Sequence, residues 1–159
     1  FKMSAKDSFF KQVEENTNNQ RASEEALKKE VFAFQKDTQA LISDIKSWFE
    51  GSPIQAATST MQVTEDKYHF EVATLTLHNG GKTLTINPEG FYAMGVTGYL
   101  NVSIYNPSRA PSTSKFSIHW KDTASKISGW VIVSGGNGKP VQRIEFNQEN
   151  FFNMISSFA

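Results

Sequence analysis

Cysteine is absent from this 159-residue chain, which excludes disulfides, thiolate metal sites and a cysteine nucleophile together. That absence fits the cytosol and the periplasm alike. Net charge is absent as well, since Lys plus Arg and Asp plus Glu both total 16. The balance holds along the chain: residues 1–50 carry eight basic and nine acidic side chains, and residues 51–159 carry eight and seven. No positive field exists to hold a phosphate backbone and no Lys/Arg cluster stands out, so nucleic-acid binding is not expected. No apolar run approaches the length of a membrane span, and no signal-peptide core is visible near the start. Phe1 and Lys2 precede Met3, where native sequence is expected to begin. A cytoplasmic protein that does not enter membranes is the expectation.

Catalytic signatures are also scarce. There is no G-x-S-x-G elbow and no H-x-H or H-E-x-x-H spacing. The seven acidic residues after position 50 are scattered, which leaves paired-carboxylate catalysis without an anchor. Gly81-Lys82-Thr83 copies the tail of a phosphate-binding loop. However, Thr76 stands where its first glycine should be and a strand follows, so no helix N-terminus can cradle a phosphate. Gly135-Gly136-Asn137-Gly138-Lys139 fails likewise, because Pro140 occupies the Ser/Thr position. Both read as hairpin turns. His69, His78 and His119 are the only histidines. His69 and His119 flank core-pointing strand residues and should face outward. Neighbouring strands could join two of them with Glu71 as a third metal ligand, but ordinary surface or satisfied histidines is the preferred reading. No catalytic residue, metal or cofactor is assigned, and a non-enzyme is expected.

What the chain does contain is a seam. Leu27, Val31, Phe34, Thr38, Leu41, Ile45 and Trp48 recur in alternating steps of four and three, which lays one apolar stripe along a helix. The main helix is predicted from about Arg21 to Glu50, with Gly51 suited to the position just past its end and Pro53 preventing resumption. An earlier helical stretch, roughly Ala5 to Glu15, puts Phe9, Phe10 and Val13 on one side. Asn16-Thr17-Asn18-Asn19 is a poor helix interior, because short polar side chains compete for the backbone. A break, a kink and one continuous helix all remain open there. Ile42 and Phe49 widen the stripe beyond strict coiled-coil positions, favouring burial against the chain's own sheet over a partner helix.

After Gln55 the vocabulary changes to Thr, Val, Tyr, Phe and Ile, which favour strands. Thr64-Glu65-Asp66-Lys67 reads as a polar hairpin tip. Tyr68, Phe70 and Val72 alternate on one parity and Leu75 and Leu77 on the other, which predicts a bulge near Ala73-Thr74. Asn79-Gly80 signals a hairpin, and Pro88-Glu89-Gly90 the next turn. Phe91 to Tyr105 follows as a long strand with Gly95 and Gly98 as bend or close-approach points. Residues 106–114, with Pro107 and Pro111, form the longest loop. Phe116, Ile118 and Trp120 alternate cleanly, then Trp130-Val131-Ile132-Val133, a glycine turn and Val141–Phe146 complete about seven strands. Asn147 fits an N-cap, and Phe151, Phe152, Ile155 and Phe158 form the apolar face of a closing helix. The fold expected is α+β and a single domain over 1–159: a helical scaffold (1–50), an antiparallel meander (54–146) and a C-terminal helix (147–158).

Aromatic residues admit a functional reading. Tyr99 and Tyr105 fall opposite Leu100, Val102 and Ile104, and Trp130 falls opposite Val131 and Val133. Tyr and Trp on an exposed face beside the Arg109 loop have the composition of a protein-binding hot spot. The competing explanation, a second core on a sheet covered on both faces, is the commoner use of such residues.

Two segments carry a family resemblance. Lys82-Thr83-Leu84-Thr85-Ile86-Asn87-Pro88 is an apolar strand ending in Pro, and Gly95-Val96-Thr97-Gly98-Tyr99-Leu100-Asn101-Val102 is a G-x-x-G strand. Trp130-Val131-Ile132 and the closing helix from Asn147 to Phe158 complete an order found in small bacterial immunity proteins. Across roughly residues 30–158 the chain resembles the TriTu-type family, whose members neutralise an ADP-ribosyltransferase toxin carried by Rhs and type VI secretion systems. No functional residue carries over. The resemblance implies a toxin inhibitor acting by protein–protein occlusion, with no small-molecule substrate. Exposed-face parity and loop length make Tyr99, Tyr105, Arg109 and Trp130 the candidate contacts. Two other classes stay open: a secretion chaperone or adaptor using the N-terminal helix, and a module holding a small apolar ligand between helix and sheet.

Overall fold

The computed structural model describes residues 4–65, 68–92, 97–122, 124–136 and 138–159. Asp66-Lys67 of the first hairpin tip, Gly95-Val96 of the G-x-x-G segment and Asn137 of the last turn lie outside them. The fold is α+β. A helix α1 (Ala5–Trp48) is followed by strands β1 (Gln55–Glu65), β2 (Tyr68–Asn79), β3 (Lys82–Tyr92), β4 (Thr97–Tyr105), β5 (Thr113–Trp120), β6 (Val131–Gly136) and β7 (Lys139–Glu145). A short helix α2 (Gln148–Met154) and a 3-10 turn (Ser156–Phe158) close the chain. The chain divides into two compact units, residues 1–33 and residues 34–159.

The first unit is helical from Ala5 onward, with the Ser4 hydroxyl accepting from the Asp7 amide at 3.1 Å as a cap. Helix α1 has no break at Asn16–Asn19. There the short polar side chains bond within the helix instead of competing with it. Gln12 Nε2 donates to Asn16 Oδ1 at 3.0 Å, and Thr17 Oγ1 donates to the Val13 carbonyl at 2.9 Å. Phe9 and Phe10 meet edge to face at 5.3 Å and are exposed.

In the second unit the seven strands pair antiparallel in chain order, forming an open meander. One face is covered by residues 34–48 of α1 and by the C-terminal helices. Phe34 packs 5.3 Å from Phe91 and 5.2 Å from Trp120, and Trp48 lies 5.9 Å from Phe146 and 5.8 Å from Phe151. Leu84, Ile86, Leu100, Val102, Ile118 and Ile132 meet them from the sheet, fully buried or nearly so. Each such aliphatic contributes about 1.5–3 kcal/mol by leaving water. Two polar links fix the helix on this surface: Trp120 Nε1 donates to Asp37 Oδ2 at 2.8 Å, and Gln35 Nε2 donates to the Glu71 carbonyl at 2.9 Å.

The C-terminal segment closes as expected at Asn147, whose side chain accepts from the Asn150 amide at 2.7 Å. Phe151, Ile155 and Phe158 are buried, whereas Phe152 is partly exposed. Asn79 Nδ2 donates to the Phe158 carbonyl at 2.7 Å and Asn106 Nδ2 to the Ser157 carbonyl at 2.8 Å. Lys82 Nζ donates to the Ala159 carbonyl. The lysine of the Gly81-Lys82-Thr83 motif therefore holds the end of this segment from the β2–β3 hairpin.

The bulge expected near Ala73-Thr74 is not there. Pairing of β1 with β2 runs unshifted from Gln55↔His78 to Glu65↔Tyr68, and the irregularity lies in β3 between Pro88 and Gly90. Strand β3 pairs only with Leu75–Asn79 of β2, which leaves Ser59–Glu65 of β1 and Tyr68–Thr74 of β2 as a two-stranded ribbon. Such ribbons twist more than wide sheets, and this turns Phe70 onto Phe91, 5.7 Å away. Twist thus buries both parities without an inserted residue.

Candidate functional site

Strand β4 alternates without fault. Gly98, Leu100, Val102 and Ile104 are buried, and Thr97, Tyr99, Asn101 and Ser103 are half-buried while Tyr105 is exposed. Its outward row continues into Thr83, Thr85 and Asn87 of β3 and Ser117 of β5, none of them buried. The second face is polar across β3 and β4, so Tyr105 does not belong to a second core, whereas Tyr99 is half-buried against His119, whose pair partner Val131 is buried.

The four candidate contacts are not brought together. Tyr105 is 46% exposed and ends β4, and Arg109 lies in the loop that follows, four residues on. Tyr99 is six residues back on the same strand, about 20 Å away at 3.3 Å per residue. Trp130 corrects the parity reading. Ile132 pairs with Ile118, which places Ile132 on the covered face, and Trp130 shares its parity. The half-buried Trp130 ring lies 6.4 Å from the buried Phe34 ring. A run that is apolar at four successive positions gives no alternation from which to read a face.

The loop at Arg109 is built on Asn106, which is buried. Its amide donates to the Ser112 carbonyl at 2.7 Å, its Oδ1 accepts from the Ser108 amide at 3.0 Å, and its Nδ2 holds Ser157 as described. The Arg109 amide in turn donates to the Asn106 carbonyl at 3.2 Å. A hollow of ≈190 Å³ opens among Asn106, Arg109, Ala110, Pro111, Ser112, Ser114 and Ser157. It combines a guanidinium with several hydroxyls, a lining suited to a carboxylate or another oxygen-rich group. Among the described residues Arg109 forms no ion pair.

A second polar cluster at the other end was not anticipated. The rings of Tyr99 and His119, cross-strand partners, meet edge to face at 4.3 Å. His119 Nδ1 stands 3.7 Å from Asp122 Oδ1, and Arg143 Nε donates to Asp122 Oδ2 at 3.2 Å. Lys121 has the left-handed φ of 51°, which turns the chain sharply after β5 and returns Asp122 beneath His119. Burial holds the His119 imidazole below its ordinary 6.5; nearby Asp122 pulls it up and Arg143 pushes it further down. Desolvation pushes the Asp122 carboxyl up. The neighbouring Ser125 hydroxyl, the Ala124 amide, Arg143 and His119 outweigh it and bring Asp122 below its ordinary 3.8. The His-x-x-Asp spacing at the end of a clean strand was the available signal for this pair. Arg143, on a distant strand, left none.

His69 accepts or donates at 3.0 Å with Thr64 Oγ1 on the paired strand. Among the described residues no group of three or more His, Asp or Glu side chains gathers as metal ligands, and no helix is long and apolar enough to cross a membrane. Comparison with protein-family models, curated proteins and solved structures finds no match for this chain.

Proposed function

We propose that this protein is an immunity protein, acting in the cytoplasm of the producing cell, that binds a cognate toxin and blocks it without turnover. The toxin class implied by the resemblance is an ADP-ribosyltransferase effector of Rhs or type VI secretion systems. The observation that carries the reading is Arg109 in the lining of a preformed polar hollow, in the loop that follows exposed Tyr105. Tyr and Arg are the residues that dominate protein-binding hot spots. The loop bearing Arg109 is tied at Asn106 and Ser157 before any partner arrives, so little ordering entropy is lost on docking. Protection of the producing cell demands nanomolar affinity or better, on the order of −12 kcal/mol. Tyr105 and Arg109 form the primary contact in this reading, with Tyr99 and the His119 cluster at the far rim. Trp130 packs on the covered side against Phe34.

Co-expression with the product of the gene immediately upstream tests the reading. A stable complex that abolishes the toxicity of that product is the expected result, and an upstream product that carries no toxin domain and does not co-purify overturns it. A second reading, an adaptor that uses its N-terminal helix, draws on the exposure of Phe9, Phe10, Val13 and Phe32, at 64, 57, 46 and 65%. It requires that removal of residues 1–22 abolish partner binding while the sheet stays folded.

A further inference from the structure

The two edges of the sheet are guarded differently. At one edge, β7 carries Lys139, Pro140, Arg143 and Glu145 within seven residues. Charges and proline of this kind keep an open ladder from recruiting another strand. At the other edge, β1 reads Gln-Ala-Ala-Thr-Ser-Thr-Met-Gln-Val-Thr before its first charge at Glu65, with no proline and no glycine. Eight of its eleven residues are exposed, and Met61 alone shows 44% of its surface. Among the described residues only β2 pairs with it, in an unbroken and unbulged register. A long, regular, uncharged edge is a standing template for one more strand.

We infer that β1 pairs antiparallel with β1 of a second copy of this chain, joining two sheets through a two-fold axis at Thr60. The sequence is self-complementary in that register. Thr60 faces its own counterpart, Ser59 faces Met61, Thr58 faces Gln62, Ala57 faces Val63 and Ala56 faces Thr64. At the ends Gln55 faces Glu65, so no like charges oppose. The two Met61 side chains fall on one face as diagonal neighbours, about 7–8 Å apart and within reach of each other. Eleven facing residues supply about ten backbone hydrogen bonds, since facing pairs alternate between two and none. A second copy also brings an edge bare in the same way, so one contact satisfies both. This pairing leaves Tyr105 and Arg109 untouched and does not depend on the toxin reading.

The absence of cysteine makes the test direct. Sedimentation velocity on the full chain across a range of concentrations should show a reversible dimer. Thr60→Lys places two ammonium groups face to face and should weaken that dimer roughly fivefold or more. Val141→Lys on β7 should leave it unchanged. Thr60→Cys, oxidised at a concentration where the dimer forms, should give one cross-linked dimer, whereas Gln142→Cys on β7 should not. A wild-type chain that stays monomeric overturns the inference, even if its β1 amides become protected when another protein is added. So does a dimer indifferent to Thr60→Lys with no Thr60→Cys cross-link.

Discussion

The Phe34 ring lies against the bare backbone of Gly98. A Cβ built on Gly98 would stand 2.8 Å from Cδ1 and Cζ of Phe34 and closer still to Cε1. Helix and sheet therefore meet at the one position of β4 that has no side chain. Gly98→Ala is expected to cost about 1–3 kcal/mol through overpacking, lowering Tm by several degrees. Because the clash is with one ring, Phe34→Leu in the Gly98→Ala background should recover part of the loss. Thermal melts of the two single variants and the double variant give the coupling, and simple additivity would contradict the contact.

Thr38 interrupts the helix seam with a hydroxyl that is completely buried and has no hydrogen-bond partner among the described residues. Thr38→Val keeps the shape and removes the unsatisfied oxygen. It should raise stability by about 1 kcal/mol, or roughly 2–4 °C in Tm, in a denaturation experiment.

Asp37 is the reverse case. Its carboxylate satisfies the indole N–H of Trp120, a ring only 2% exposed. Asp37→Ala leaves that donor buried and unpaired, and should cost about 1–3 kcal/mol by chemical denaturation.

Acid should weaken the fold in two steps. His119 binds its proton less readily folded than unfolded, so its contribution is complete above about 6.5 and is lost as pH falls below that value. Asp122 is held below its ordinary 3.8, so its contribution is complete above 3.8 and is lost as pH falls further. His119→Gln should remove the first step and leave the second, as read from Tm against pH.

The sequence disclosed most of this frame and less of the site. Leu100, Val102 and Ile104 alternate against polar neighbours, so β4 and its faces were legible, as was the close approach at Gly98. Asn147 and the apolar positions behind it marked the closing helix. Asn16–Asn19 left the helix undecided because helix-internal bonds from Thr17 and Gln12 depend on side-chain geometry rather than residue type. Trp130 misled because Val131, Ile132 and Val133 are all apolar. The bulge was misplaced because a strand pattern does not say where a neighbouring strand stops pairing. Tyr105 at the end of β4 and Arg109 in the following loop were legible, because strand parity and the two prolines mark where β4 stops. The assembly of His119, Asp122 and Arg143 spans strands and was not.

The central claim is that Tyr105 and Arg109 form the surface that engages the toxin. Isothermal titration of the purified upstream gene product with the wild-type protein and with the Tyr105→Ala/Arg109→Ala double variant tests it most directly. Nanomolar binding by the wild type, weakened at least about a hundredfold in the double variant with its thermal melt unchanged, is the predicted result. Equal affinity for both proteins would contradict it.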